Sequence, residues 1–454
     1  MAVVLPLHRA IRASGTTLEL VGKSFSVELG VRAEVATLYR AVEHDSRATA
    51  YLLDLPDYFD RDGVYGSPDG DYPDNAVRFG LFCRAALQVL PWIAPRARIV
   101  HAHDWHTALA CVDLRVGFAG QPFYDRLRSI LSIHNPAYQG WFDRSALAAL
   151  GLNPSGDDHR LVEWHGRVNL LKGGLASCDM ATTVSPTHAA ELRTPEGGFG
   201  LDEEFCRMGH RFVGILNGID PVQWDPQHDP HLAARYSAAD VTPKRACKRA
   251  AQRHFGLPPS DAPLIAMSAR LVAQKGLDLF LSNGLMHDTD AQFVFLGGGE
   301  QRYETALVQL ANSLPDRVAN RFRFTHRAER VLLAGADMLL MPSQFEPCGL
   351  TQMRAQRYGC LPIGRRVGGL ADTIDDGSTG FLFDAYRPEE LHRAVRRATE
   401  CFRDHTRWVT MMKRAMRRDF GWDAPAAEYD RVYRRARATA TLGRWSVERQ
   451  RIPA

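Results

Sequence analysis

The stretch Ser343 to Gln352 reads S-Q-F-E-P-C-G-L-T-Q and gathers a carboxylate (Glu346), a thiol (Cys348), a flexible glycine (Gly349) and a hydroxyl (Thr351). It follows the apolar run Met338-Leu339-Leu340-Met341, which has the length of a buried strand, and leads into the helix-like Thr351 to Arg357. Open α/β sheets place ligands at such carboxyl ends of strands, and free helix N–H groups there suit an anion. Alone, the same residues also read as an ordinary βα loop with a surface Glu and a buried Cys.

Other segments repeat this arrangement. S-A-R-L-V-A-Q-K-G at 268–276 sets Arg270 and Lys275 on a loop after a strand. A fork and a point charge together suit a departing diphosphate, whereas a solvated loop is the plain alternative. Gly297-Gly298-Gly299-Glu300 lacks a full G-x-G-x-x-G, no Walker-type loop occurs, and Val367-Gly368-Gly369-Leu370-Ala371-Asp372-Thr373 is a glycine turn opening a helix, suited to phosphate. In the N-terminal half, H-A-H-D-W-H at 101–106 follows the strand Arg98 to Val100. The strand Ser129 to Ile133 then delivers His134-Asn135-Pro136-Ala137-Tyr138-Gln139-Gly140 to the same sheet edge. The histidine cluster invites zinc, but its order is not that of metallo-hydrolases, so metal is the weaker reading. Asp69-Gly70-Asp71 has no strand before it and is not read as a metal ligand set.

These residues need elements to hold them. Short apolar strands at Val3 to Leu5, Ala50 to Leu53, Ile99 to His101, Ser129 to Ile133 and Met180 to Val184 alternate with helical patterns. A second set follows at Leu264 to Met267, Gln292 to Leu296, Arg321 to Thr325, Met338 to Met341 and Leu361 to Gly364. Ser185 or Thr187 is placed to cap a helix. Such alternation predicts parallel sheets with helices on both faces. The Pro- and Asp-rich Pro221 to Pro230 marks a hinge. The chain thus reads as α/β, two doubly wound domains facing each other across a cleft.

Composition narrows the classes. The chain has 454 residues, 45% hydrophobic and 24% charged, with a net charge of +4, enough for two or three domains and no case for nucleic acid. The Arg-rich Ala426 to Arg437 reads as a solvated basic face. Eight scattered cysteines without a C-x-x-C pair fit reduced thiols in a cytoplasm. The opening residues lack an export pattern, and no window reads as approaching about 18 consecutive apolar residues, so no membrane role is expected.

Taken together, Asp74-Asn75 with Arg78-Phe79, H-A-H-D-W-H, H-N-P-A-Y-Q-G, V-S-P-T at 184–187, L-N-G-I-D at 216–220, S-A-R-L-V-A-Q-K-G, S-Q-F-E-P-C-G-L-T-Q and G-G-L-A-D-T at 368–373 resemble, in order and spacing, bacterial glycogen synthases and the related starch synthases. The resemblance implies a GT-B fold of two Rossmann-like domains over 1–214 and 215–417, with 418–454 a C-terminal helix returning to the first domain. It implies retaining transfer of glucose from ADP-glucose to the non-reducing 4-OH of an α-1,4-glucan such as glycogen or a maltooligosaccharide, with no metal or other cofactor. Arg270 and Lys275 would neutralise the diphosphate, Glu346 would hold the glucose and stabilise the oxocarbenium-like centre, His134 would lie beside the anomeric carbon, and Asp104 would order sugar or acceptor. Cys348, Gly349, Thr351, Gly368, Gly369, Asn217, Trp105, His106, Tyr138 and Gln139 match substrate contacts, and Phe324 matches a position for stacking on adenine.

The family normally opens with a strand and a K-x-G-G-L-A-D loop, and Met1-Ala-Val-Val-Leu-Pro matches its second strand, so the first strand and loop are expected to be missing and a neighbouring strand edge open. Lys172-Gly173-Gly174-Leu175 falls in a helix of the family pattern and is not a substitute. That departure keeps a catalytically impaired glucan-binding protein as the alternative, beside a relative using UDP-glucose or another acceptor. The residues leave a homo-oligomer open.

Overall fold

The computed structural model describes residues 1–42, 48–67, 70–153, 159–281 and 284–438. The chain forms two compact units. The first holds Met1–Thr182, Leu192–Val213 and the last described residues, 430–438. The second holds Thr183–Glu191 and Gly214–Tyr429. The short piece 183–191, which lies inside the first half of the sequence, therefore packs with the second unit.

The second unit is built on a six-stranded sheet whose order is Val318–Arg321, Gln292–Leu296, Leu264–Ser268, Met338–Met341, Leu361–Arg365 and Phe381–Phe383, every pairing parallel. Its central strands are apolar at every position except the terminal Ser268 and Gln292, because both faces are covered. Leu264, Ala266, Val294, Leu296, Leu339 and Met341 pack into one core cluster. Ile265, Met267, Phe293, Phe295, Met338 and Leu340 pack into the other, as the two-residue period of a strand requires. The strand order reverses between Leu264–Ser268 and Met338–Met341, so the loops after these two neighbouring strands leave the sheet side by side.

Two local readings are corrected. The strand expected at Arg321 to Thr325 is Val318–Arg321: Thr325 instead caps the helix His326–Gly335, its hydroxyl accepting from Ala328 N at 3.1 Å. Phe381–Phe383 is a further strand that the sequence reading passed over. The alternative caps at 184–187 resolve as Ser185, whose hydroxyl accepts from His188 N at 2.9 Å, while the Thr187 hydroxyl donates to Asp372 at 2.6 Å.

In the first unit the five expected strands are present, but in two sheets. Ala2–Pro6 pairs in parallel with Thr49–Asp54, and the antiparallel strands Arg32–Ala41, Leu18–Leu20 and Phe25–Leu29 complete that sheet. The antiparallel part was not foreseen, although Phe25, Val27 and Leu29 alternate with polar residues before a turn at Gly30. The second sheet runs Phe212–Gly214, Met180–Thr183, Arg128–Ile133, Ile99–His103. Ala2–Pro6 and Ile99–His103 each stand at the edge of a sheet, and Leu5 is half-exposed.

The helix Asn75–Ile93 is long and apolar enough to cross a membrane by length and mean composition, although Arg78, Arg84 and Gln88 interrupt its apolar run. Here its apolar residues Leu81, Ala85 and Val89 are fully buried, and it packs on the helix Asp104–Arg115 and the strand Phe25–Leu29. Arg78 on this helix is also fully buried. Its guanidinium donates to Tyr58 O at 2.7 Å, Asn75 Oδ1 at 2.6 Å and Val64 O at 3.2 Å, and lies over the rings of Phe59, Tyr72 and Phe79. The D-N-x-x-R-F motif is thus a pin that holds the loop 58–65 to the helix. Lys172 is likewise structural, on the helix Leu170–Ser177 with its ammonium donating to Arg160 O at 2.7 Å. Truncating Arg78 strands two buried acceptors and a part-buried one, so Arg78→Ala is expected to lower the unfolding free energy by about 3 kcal/mol, read from urea denaturation.

Candidate active site

Each unit carries its own share of the candidate residues. In the second unit the loops 268–276 and 342–350 are locked backbone to backbone. Gln344 N donates to Gln274 O at 2.8 Å, and Gln274 Nε2 donates to Phe345 O at 3.0 Å. At Gly276 (φ 75°) a Cβ would stand 2.0 Å from Pro342 O, so only glycine permits this approach. The locking brings Lys275 Nζ to 2.6 Å from Glu346 Oε2. Ser343 Oγ donates to the same oxygen at 2.9 Å. Glu346 is only 6% exposed. Charge-assisted hydrogen bonds from a cation and a hydroxyl offset the cost of burying it.

A cavity of about 220 Å³ opens over this pair, lined by Arg270, Lys275, Ser343, Glu346, Gly349 and Thr351 among others. Arg270 is exposed at its wall. Five of the residues singled out in the sequence (Arg270, Lys275, Glu346, Gly349, Thr351) thus share one polar cavity within one unit. Ser343 and Gln274 were not singled out, although both lie inside motifs that were.

Other assignments land differently. Cys348, expected among the substrate contacts, is buried and is not part of this lining; burial pushes its thiol up to about 12, with the Asn217 backbone N–H beside its sulfur. It is therefore a neutral thiol rather than a nucleophile. Gly368 (φ 41°) and Gly369 carry the backbone of Glu346 to Cys348 directly against them; a Cβ would lie 2.0 Å from Glu346 O and 1.9 Å from Cys348 O. Both amides are already engaged, Gly368 N donating to Glu191 Oε1 at 2.9 Å and Gly369 N to Glu346 O at 3.0 Å. These glycines first serve the placement of Glu346. Phe324 is 43% exposed, edge-on to His326, and outside the cavity lining.

In the first unit the two strand ends meet as expected. Asp104 begins the helix Asp104–Arg115 with φ 55°, a left-handed conformation costly for a non-glycine residue. There its carboxylate accepts from His134 N at 2.7 Å and from the Asn135 amide. Burial raises the Asp104 pKa, opposed by His134 and these amides. His103 Nδ1 lies 3.0 Å from His134 Nε2, and His101 stacks on His103 with its own nitrogens held by Ser132 Oγ and Tyr433 OH. Burial depresses His101 to about 3 and His103 and His106 to about 4, so these rings are neutral at pH 7. Trp105 is buried against Phe79 and His106, whose ring also meets Tyr65.

Tyr138 is 55% exposed and free to meet a ligand, but Gln139 is turned inward. Its amide donates to Pro136 O and Phe199 O and accepts from Asn169 Nδ2 at 2.6 Å. Gln139 therefore shapes the 134–140 loop instead of touching substrate. Among the described residues no group of three His, Cys, Asp or Glu side chains is arranged to hold a metal ion. Asp69 of the D-G-D segment lies outside the described residues, and Asp71 is exposed on a two-stranded ribbon.

Comparisons with known proteins agree in sequence and fold. A starch synthase catalytic domain model matches residues 1–205, and a glycosyl transferases group 1 model matches 248–414. A glycogen synthase of Syntrophotalea carbinolica is 40% identical over 96% of this chain and 91% of its own. One from Anaeromyxobacter sp. strain Fw109-5 is 45% identical over 89% of this chain and 86% of its own. The solved catalytic domain of starch synthase IV from Arabidopsis thaliana, bound to ADP and acarbose, superposes with a TM-score of 0.86 at 29% identity, covering 96% of this chain and 92% of that one. Sucrose-phosphate synthase from Thermosynechococcus elongatus, at a TM-score of 0.58 and 20% identity over 88% of this chain and 86% of its own, shares the fold alone. With the site motifs in their expected order and such relatives along nearly its whole length, the chain belongs to the glycogen synthase family of GT-B glycosyltransferases.

Proposed function

We propose that the chain transfers glucose from ADP-glucose to the non-reducing 4-OH of an α-1,4-glucan, with retention of configuration and in the cytoplasm. Family membership implies a nucleotide-sugar donor and a glucan acceptor; the nucleotide and the linkage are the finer part of this reading. The observation that carries it is the buried Lys275–Glu346 pair at 2.6 Å on the floor of a cavity that also presents Arg270.

The chemistry follows from charge. Breaking the bond to a diphosphate leaves negative charge on the phosphate and positive charge on the sugar ring. Arg270 and Lys275 stabilise the first, and Glu346 stabilises the second. Lys275 is already oriented by Glu346, so little reorganisation accompanies the reaction. The same-face course usual for this family gives the acceptor's proton to the leaving phosphate, which asks no side chain to act as a covalent nucleophile. Thr351 and the Gly368 amide serve as diphosphate contacts, Gly368 N exchanging the Glu191 carboxylate for phosphate oxygen, while Gly369 N stays on Glu346 O and holds the loop. In the first unit, His134 serves the reacting sugar, oriented by Asp104 and His103, with Trp105, His106 and Tyr138 as sugar contacts.

The test is transfer of labelled glucose from ADP-glucose to glycogen by the full chain, with UDP-glucose as a competing donor. Glycogen-dependent turnover with ADP-glucose preferred is expected; glycogen binding without turnover would overturn the reading. Lys275→Ala is expected to lower kcat by about a hundredfold while the KM for glycogen holds, since the lost cation acts on the donor.

Stability should also report the histidines held neutral in the first unit. The folded values of His101, His103 and His106 lie below their usual 6.5. Below pH 6.5 the unfolded chain therefore binds more protons, and stability falls as pH falls. Asp104, raised by burial, acts in the opposite sense. Between pH 6.5 and pH 4 the loss is expected to reach about 3 kcal/mol for each of His101 and His106 and less for His103, whose side chain is more open to solvent, and His106→Gln should flatten the slope of urea midpoints against pH.

A further inference from the structure

The small antiparallel sheet of the first unit has a face that the proposed reaction does not use. Its strands run in the order Trp141–Phe142, Arg167–Asn169, Glu163–Trp164. Trp141 pairs with Asn169, and Trp164 pairs with Arg167. Directly opposed residues share a face, as do residues two apart on a strand, so Trp141, Asn169, Arg167 and Trp164 all stand on one side. The inner end of this face is fixed: Asn169 is fully buried and donates to Gln139 of the 134–140 loop at 2.6 Å. The outer end is open. Trp141 is 36% exposed, the Arg167 guanidinium lies 5.7 Å from its ring centroid with its side chain half in solvent, and Asp143 stands 3.6 Å from Arg167.

This combination selects a ligand chemistry. An indole face takes the flat C–H face of a pyranose, and a guanidinium fork matches a pair of neighbouring hydroxyls. Asp143 balances the Arg167 charge, so the face favours a neutral polyol over an anion such as a nucleotide. Its inner end is hydrogen-bonded to the loop that carries His134 and Tyr138, so a chain lying on it adjoins the loop proposed to contact sugar. We infer that the Trp141–Arg167 face is an outer platform that holds α-glucan chains. This rests on the glucan acceptor of the proposed function, and it adds a site for sugar units remote from the reacting one.

The full chain and its Trp141→Ala, Trp141→Phe and Arg167→Ala variants would be run through glycogen-containing native gels, and their kcat/KM for glycogen and for maltotriose measured. The alanine variants are expected to bind glycogen about fivefold more weakly and to lose kcat/KM for glycogen by a similar factor relative to maltotriose. Trp141→Phe keeps a stacking ring and should run close to the parent chain. Glycogen retardation within about twofold of the parent in both alanine variants overturns the platform. Equal loss in Trp141→Phe and Trp141→Ala also overturns it, because it would report the hairpin's folding instead of stacking. Gel retardation needs no turnover, so a parent chain that binds glycogen but transfers no glucose would sink the proposed reaction and leave the platform standing.

Discussion

A carboxylate withdrawn from water at the base of a polar cavity is costly unless a cation meets it, and much of the second unit is arranged around that one requirement. Lys275 reaches Glu346 because two loops share a hydrogen-bonded backbone interface. They share it because their strands are neighbours where the sheet order reverses. Gly276, Gly368 and Gly369 are the places where backbone must touch backbone for the pair to close. A side chain at any of them would push the carboxylate away from its cation.

The first unit solves a different problem, keeping polar rings neutral and aimed. Desolvation disfavours charge on His101, His103 and His106, helped by neighbouring histidines at the first two and by the Arg78 guanidinium at the third, and each hydrogen bond then demands a definite donor and acceptor. Asp104 supplies the anchor. Its left-handed backbone is strained, and the surrounding bonds to the 134 and 135 amides hold it there. Further out, Arg78 fixes the loop beneath the Phe79, Trp105 and His106 rings. The aromatic wall therefore depends on a guanidinium spent wholly on backbone carbonyls and an asparagine.

Polar residues in motifs divide into those that face a ligand and those that only hold the loop, and type alone does not separate them. Tyr138 and Gln139 are adjacent, yet one is open to solvent and the other has its amide bonded within the protein. Asn169, outside every motif, links that inward glutamine to the tryptophan-bearing hairpin. A short loop thus joins the histidine cluster to a surface suited to sugar.

The sequence by itself determined the strand and helix alternation, because strands covered on both faces are apolar at consecutive positions and such runs are visible locally. It also showed which loops carry the cations, the carboxylate and the histidines, since each set is contiguous in the chain. Only the tertiary structure decided the rest. The partners Lys275 and Glu346 lie 71 residues apart, and no local period encodes their meeting. The inward turn of Gln139, the burial of Cys348 and the engagement of the Gly368 amide were settled by contacts with distant segments. So were the register of the Val318 strand, where a helix cap at Thr325 competed with strand propensity, and the apolar helix 75–93, whose Leu81, Ala85 and Val89 are buried within the first unit. Local sequence fixes what a segment prefers; packing between remote segments decides which polar atoms are left to meet a substrate.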